Sequence, residues 1–329
     1  MITTLKIIHS DNLDPYWNLA LEEELLNSVE EGTCILYLWQ NKNTVVIGRN
    51  QNPWVECRTE LLTEEGGHLA RRLSGGGAVY HDIGNLNFTF LVNQVDYDVE
   101  KQLRVIQNAV GKFGIPVTFS GRNDLLADGR KFSGNAFYHA SGKSYHHGTI
   151  LVNADTTMVS RYLSPSTAKL KAKGVSSVRS RIINLTEIEP NITIADIKDK
   201  LAISFSEIYG LPATQLNLTD AQLDSIGVRA EKFGSWDWLY GAPLPFSFSC
   251  EDRFPWGSFQ LLLQVNKGCV TDAKVYTDAM QWQIASAIEE ALRSVNFTIQ
   301  ELTMAIKNIS FDAPDIISDI CDLLAKQNI

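Results

Sequence analysis

Strand-like runs and helix-like runs alternate irregularly along this chain, and that irregularity is what most limits its fold. "DPYWNLALEEELLNSVEEG" (14–32) puts Trp17, Leu21, Leu25 and Val29 near helical spacing. Asp11 or Asn12 is the expected cap and Gly32 the expected stop. "TCILYLW" (33–39) and "TVVIG" (44–48) are β-rich runs separated by "QNKN", which predicts a hairpin. "GNLNFTFLV" (84–92) alternates as a strand does. The segment 99–116 carries Leu103, Ile106, Val110 and Phe113 on one helical face, until Gly114 and Pro116. There follow a strand near "PVTFS", a loop "GRNDLLADGR", strands "KFSGNAFYH" and "HHGTILV", and short helices in "DTTMVSRYLSP" and "PSTAKLKAKG". A longer helix over 193–210 opens on Thr193, with Asp196 three residues on. No clean βαβ repeat emerges. The expectation is therefore an α+β fold, a mixed β-sheet flanked by helices, and not a Rossmann domain.

"WLYGAPLPFSFSCEDRFPWGS" (238–258) holds three prolines and several turn residues, and is the expected linker. Beyond it, a hairpin turning at Asn266–Lys267–Gly268 and a helix in "AMQWQIASAIEEALRSV" predict a small α+β C-terminal domain. The division falls at 1–244 and 245–329.

Composition narrows the function classes. A net charge of −9 argues against general nucleic-acid binding, which needs a broad basic surface. The N-terminus lacks the apolar core and small-residue cleavage site of a signal peptide, and no apolar run reaches the length of a membrane span. The five cysteines (Cys34, Cys57, Cys250, Cys269, Cys321) form no CxxC pair, so neither a disulfide framework nor a zinc site is suggested. The expected location is the cytoplasm, with no membrane or nucleic-acid partner.

Four stretches carry candidate chemistry. "RRLSGGGAVYHDIGN" (71–85) sets three glycines behind Arg71 and Arg72. It has neither the lysine of a P-loop nor G-x-G-x-x-G spacing. Its backbone N–H groups could still face a phosphate as a nest, with arginine supplying bidentate charge. A tight hairpin turn beside two surface arginines reads equally well. In "GRNDLLADGRKFSG" (121–134), Lys131 is either a solvated edge residue or a charge for an activated acyl group. Asn123 and Asp124 are either ligands for ribose or Mg²⁺ or members of an Asx turn. In "SYHHGTILV" (144–152), adjacent histidines point to opposite faces of a strand, so both cannot ligate one metal. "AKLKAKGVSSVRSR" (168–181) gathers five cations around a glycine, as a solvated basic loop or as a flap that closes over a phosphate.

Taken together, these stretches resemble the lipoate–protein ligase family. "NLALEE", "LYLWQNKNTVVIGRNQNPW", "RRLSGGGAVYHDIGN", "GRNDLLADGRKFSG", "HHGTILVNAD" and "KGVSSVRSRIINL" come in the family's order over most of residues 15–190. "SWDWLYGAP" followed by "RFPWGSFQLLLQVNKGCVTDAKVYTD" resembles the family's link into its small accessory domain. The resemblance implies a biotin/lipoate ligase-like catalytic domain and two reactions. Lipoate and Mg·ATP give lipoyl-AMP, and the lipoyl group then passes to a lysine of a carrier. Family carriers are E2 lipoyl domains and the glycine-cleavage H protein. ATP, Mg²⁺ and lipoate would be substrates of a monomer without a tightly bound prosthetic group.

By the same resemblance, Arg72, Gly77, Ala78, Val79 and Tyr80 would hold ATP or the adenylate. Lys131 would be the catalytic lysine, contacting both the α-phosphate and the acyl group. Asn123 and Asp124 would lie near the phosphates, with Asp124 as a Mg²⁺ ligand, and Lys173, Gly174 and Arg179 on a loop that closes over the adenylate. Trp39, His147 and the Leu19–Leu21 face would join Lys131 and Arg72 around lipoate. Tyr80 stands where the family commonly has phenylalanine, and Asn135 where a smaller residue is frequent. A related octanoyl or lipoyl transferase would work through a cysteine, yet none occurs between Cys57 and Cys250. The glycine-rich "GRGR" signature of biotin ligases is missing. A non-catalytic lipoate- or nucleotide-binding regulator would not need Lys131, Arg72 and the full glycine loop together.

Overall fold

A computed structural model describes residues 1–120, 124–163, 181–241 and 246–327. In chain order they form β1 (Thr4–His9), α1 (Pro15–Ser28), β2 (Thr33–Trp39), β3 (Thr44–Ile47), α2 (Pro53–Glu56), α3 (Thr59–Glu64), β4 (His68–Arg71), β5 (Val79–His81), β6 (Asn85–Asn93) and α4 (Val99–Gly111). Next come β7 (Val117–Ser120), β8 (Asp124–Ala127), β9 (Arg130–Ala140), β10 (Lys143–Leu151), α5 (Thr156–Tyr162), α6 (Ile194–Tyr209), β11 (Ala213–Gln215), α7 (Asp220–Gly234) and α8 (Trp236–Leu239). The C-terminal part adds β12 (Phe248–Phe254), β13 (Gly257–Asn266), β14 (Cys269–Thr277), α9 (Gln283–Leu292), α10 (Ile299–Lys307) and α11 (Pro314–Ala325).

Every residue of β2 is buried, because the strand lies centrally in a sheet covered on both faces. That sheet runs β11-β1-β2-β6-β10-β9-β8-β7. It is mixed: β1 pairs in parallel with β2 and β11, while β2–β6, β6–β10 and β10–β9 are antiparallel. Alternation divides β2 between two cores. Ile35, Tyr37 and Trp39 meet Leu25 of α1 and Ile226 of α7 on one face. Cys34, Leu36 and Leu38 meet Ile106 of α4 and Phe205 of α6 on the other. The expected mixed sheet flanked by helices is present.

Four local expectations need correction. First, β2 and β3 are not a hairpin. Both edges of β2 are already taken by β1 and β6, so β3 has none to join and instead centres a separate small sheet, β4-β3-β5. Second, α1 is capped by neither Asp11 nor Asn12. Asp14 Oδ1 accepts from Tyr16 N at 2.8 Å, because Pro15 takes the first helical position, where no N–H donor is needed. The helix ends at Val29, before Gly32. Third, the expected loop 121–130 contains strand β8, which turns into β9 through Asp128 and Gly129, at φ 49° and 69°. Aspartate–glycine suits such a turn, since both central residues need positive φ. Fourth, residues 248–254 of the expected linker are β12, paired along its length with β13. The second short helix expected in 165–174 lies outside the described residues.

The C-terminal hairpin turns at Lys267 and Gly268, at φ 51° and 76°, where the sequence placed it. Its sheet and α9–α11 bury a core of their own, including Phe259, Leu263, Ile288, Leu302 and Ile320. The segment following β14 lies against the glycine stretch. Gly76 N donates to Ala279 O at 3.2 Å, and Asn50 Nδ2 to Trp282 O at 2.6 Å. The Trp282 ring stacks on Tyr138 at 5.0 Å. Arg49 lies over Trp238 at 4.3 Å and Trp282 at 5.9 Å.

Candidate active site

The glycine stretch is not a hairpin turn. It carries the chain across β3, from the parallel partner β4 to the antiparallel partner β5. Gly76 holds φ at 89°, a conformation that a side chain disfavours. A Cβ on Gly75 would collide with the carbonyl oxygen of Ala279. Glycine is therefore needed here for backbone shape and for close approach.

Both arginines are buried, and both are turned onto main-chain carbonyls. Arg71 donates to Gln51 O at 2.7 Å, Arg49 O at 2.9 Å and Leu239 O at 2.5 Å. Arg72 Nη2 donates to Gly75 O and Gly77 O, each at 2.8 Å, and its Nε to Ser74 Oγ at 3.0 Å. Burial pulls the Arg72 guanidinium down to about 10, which leaves it charged at neutral pH. In this arrangement Arg72 shapes the loop from within. Ala78, Val79 and Tyr80 lead into β5, and the Tyr80 hydroxyl donates to Asn43 Oδ1 at 3.2 Å.

His147 and Trp39, two expected slot residues, meet through a polar chain absent from the sequence reading. His147 Nε2 is 2.8 Å from Ser74 Oγ, and its Nδ1 is 2.8 Å from Glu22 Oε1. Thr89 Oγ1 donates to that same carboxylate oxygen at 2.7 Å and accepts from Trp39 Nε1 at 3.1 Å. Leu19, Leu21 and Trp39 share one buried cluster with Tyr145. Glu22 was overlooked, although a signal existed. It follows Asn18 by four residues on the face of α1 that continues through Leu25 and Leu26, so a carboxylate occurs where burial is expected. As expected, the adjacent histidine looks the other way. His146 Nδ1 lies 3.1 Å from Gln102 Oε1 and Nε2 2.8 Å from Asn135 Oδ1. Asn135, the departure from the family pattern, thus fills a buried polar contact.

Lys131 is on β9, half-buried, with Nζ 2.6 Å from Asp124 Oδ1 on the neighbouring strand. Its side chain passes over Gly134, where an added Cβ would lie 2.6 Å from Nζ. Strand β10 connects this lysine to the loop. His147 touches Ser74, while Thr149, two residues on and on the same face, accepts from Gly134 N at 3.3 Å. The backbone of Lys131 also receives the chain returning from 164–180, through Ile183 N to Lys131 O at 2.9 Å. Lys173, Gly174 and Arg179 lie in that segment and, like Asn123, outside the described residues.

Among the described residues no cluster of three His, Cys, Asp or Glu side chains could hold a metal. A single half-exposed carboxylate, Asp124, fits Mg²⁺ bound chiefly through nucleotide phosphates, since Mg²⁺ keeps waters and takes few protein ligands. Three of the thiols are unsuited to nucleophilic work. Burial pushes Cys34, Cys57 and Cys250 each up to about 12, far from the thiolate.

Comparison with known proteins identifies the family. Residues 14–206 match the family "Lipoyl protein ligase A/B catalytic domain", and residues 244–324 match "Bacterial lipoate protein ligase C-terminus". A lipoate-protein ligase A of Bdellovibrio bacteriovorus is 41% identical over 313 residues, covering 92% of each chain. The crystal structure of P. falciparum LipL1 in complex with lipoate superposes with a TM-score of 0.86 at 27% identity, covering 98% of this chain and all of that one. A lipoate-protein ligase A bound with ATP superposes at 0.62 and 26% identity, covering 73% of this chain and 99% of that one. With its catalytic and C-terminal parts both matched, the chain belongs to the lipoate–protein ligase family, enzymes that ligate lipoate to proteins.

Proposed function

We propose that this chain activates lipoate with ATP at the glycine loop and Lys131, and then acylates a lysine of a lipoyl-carrier domain. In the first step a lipoate carboxylate oxygen attacks the α-phosphorus of ATP, and pyrophosphate leaves. In the second, the deprotonated ε-amine of the carrier lysine attacks the acyl carbonyl, and AMP leaves as the amide forms. The difficulty of the first step is bringing a carboxylate to a triphosphate. Cations and oriented N–H groups must offset that repulsion and the charge developing in the transition state.

The observation that carries this reading is the arrangement around β10, which joins the glycine loop through His147 and Lys131 through Thr149 and Gly134. Lys131 Nζ is a compact point charge over Gly134, suited to serving an α-phosphate oxygen and then an acyl oxygen. In this reading Asp124 holds that ammonium until Mg·ATP arrives, and afterwards contributes to the metal. Arg72 keeps Gly75 and Gly77 in shape, while backbone N–H groups of Ala78, Val79 and Tyr80 receive phosphate. Asn123 and the loop with Lys173, Gly174 and Arg179 complete the nucleotide site. Trp39, His147, Leu19 and Leu21 line the lipoate slot.

Residues 1–244 serve as the catalytic domain and 245–329 as an accessory domain. The carriers are E2 lipoyl domains and the glycine-cleavage H protein, met by a monomer in the cytoplasm. Among the described residues no helix is long and apolar enough to cross a membrane. A cysteine-dependent transferase is disfavoured by the absence of any cysteine between Cys57 and Cys250 and by the burial that raises both of those thiols. The test is lipoate-dependent exchange of labelled pyrophosphate into ATP by the full chain with Mg²⁺. Exchange that appears only when lipoate is added is the expected result; none at any lipoate concentration refutes the reading.

A further inference from the structure

We infer that Glu22 is a positioning residue for the nucleotide step, acting on the glycine loop through His147, Ser74 and Arg72. The inference rests on the reading above that this loop receives ATP. Glu22 is 1% exposed, and a carboxylate that deep is tolerated only when its lone pairs are engaged. Its Oε1 takes two contacts, from Thr89 Oγ1 at 2.7 Å and His147 Nδ1 at 2.8 Å.

Unbroken hydrogen-bond contacts link the two ends of the chain. Arg72 can only donate, so Ser74 Oγ accepts from its Nε at 3.0 Å. The same oxygen lies 2.8 Å from His147 Nε2. The other ring nitrogen, Nδ1, lies 2.8 Å from Glu22 Oε1. A buried carboxyl group and a buried guanidinium are thus joined through one imidazole and one hydroxyl. Their opposite charges also favour each other, since Glu22 helps keep Arg72 protonated against the larger effect of burial.

The consequence reaches the loop through peptide planarity. Arg72 Nη2 holds the carbonyls of Gly75 and Gly77 at 2.8 Å. In a trans peptide the N–H points opposite to its carbonyl. The N–H groups of Gly76 and Ala78 are thereby aimed away from Arg72. For Gly76 this is visible, since its N–H reaches Ala279 O on the other side. Ala78 N–H is aimed in the same manner, ready for an anion. Glu22 belongs to α1, on the acyl side, yet it sets the geometry of groups that meet phosphate.

Glu22→Gln keeps the shape and removes the charge, and Ser74→Ala cuts the link at its middle. In the lipoate-dependent exchange assay, each should raise the KM for ATP about tenfold, the scale of one lost hydrogen bond to a charged group. The double variant should be no worse than the poorer single variant, because both break one chain. A Glu22 that only lined the acyl slot would change the KM for lipoate and leave that for ATP unchanged, which overturns the inference. Effects that multiply in the double variant overturn it as well. If Glu22→Gln does not fold, as judged by circular dichroism, the ATP dependence of Ser74→Ala alone decides: a parental KM refutes the inference. Parent protein without exchange refutes the ligase reading itself, and the inference with it.

Discussion

At the residue scale, the proposed chemistry concentrates on one lysine whose surroundings are small by necessity. Lys131 Nζ is 2.6 Å from Asp124 and lies over Gly134. Lys131→Ala should lower lipoate-dependent pyrophosphate exchange by about 100-fold or more, the scale seen when a charge-stabilising donor is removed. Its half-buried position predicts a melting temperature close to the parent's, measured by calorimetry. Exchange at the parental rate would remove Lys131 from the mechanism. Gly134→Ala tests the same point from outside. A methyl group 2.6 Å from Nζ must displace the lysine, so exchange should fall although no charge is lost. The type and position of Lys131 were legible in the sequence, whereas its ion pair with Asp124 depended on how β8 pairs with β9.

At the element scale, α1 does two tasks. Its apolar residues cover one face of the large sheet, and Glu22 on the same face anchors the polar chain to His147. Asp14 caps it through Tyr16 N. Asp14→Ala should cost about 1 kcal/mol of stability, measured by urea unfolding, because the first-turn N–H loses its acceptor. A change indistinguishable from zero would show that Pro15 and packing alone define the helix start. The glycine loop is the second element with a testable constraint. Gly75→Ala should push the segment around Ala279 away, since the added Cβ would meet its carbonyl. Hydrogen exchange at Gly76, whose N–H that carbonyl accepts, should accelerate. Unchanged protection would mean that the contact adjusts without separating.

At the scale of the whole molecule, buried histidines couple the fold to pH. Burial, reinforced by Arg72, holds His81 down at about 3, and burial with His147 nearby does the same for His146. Both are neutral in the fold, whereas the unfolded chain protonates them near 6.5. Between these values the unfolded state binds more protons, so stability falls as pH drops below about 6.5. Each histidine adds a slope of up to about 1.4 kcal/mol per pH unit. Urea unfolding from pH 8 to pH 5 should show the decline, and His146→Gln should flatten it. Identical slopes for parent and variant would show that His146 is protonated in the fold.

Local order was largely determined by the sequence. Hydrophobic period separated α4 and α6 from the strands around them, the Thr193–Asp196 capping box placed the start of α6, and Asn266–Lys267–Gly268 placed a hairpin, because each depends on residues close along the chain. The order of motifs from "NLALEE" to "KGVSSVRSR" sufficed for the family. What the sequence left open was pairing at a distance. Whether β3 joins β2 depended on β1 and β6 having already taken both edges of β2. In the sequence the arginine pair read either as charge for an anion or as surface residues, with Arg72 a ligand by resemblance; tertiary packing buries both and places them on carbonyls, since buried guanidinium groups must satisfy every donor they can. Glu22 acquired its meaning only when α1 was laid across the sheet, 125 positions in sequence from the His147 it contacts. Side chains that far apart share no local signal, and only the packed fold brings them within 2.8 Å.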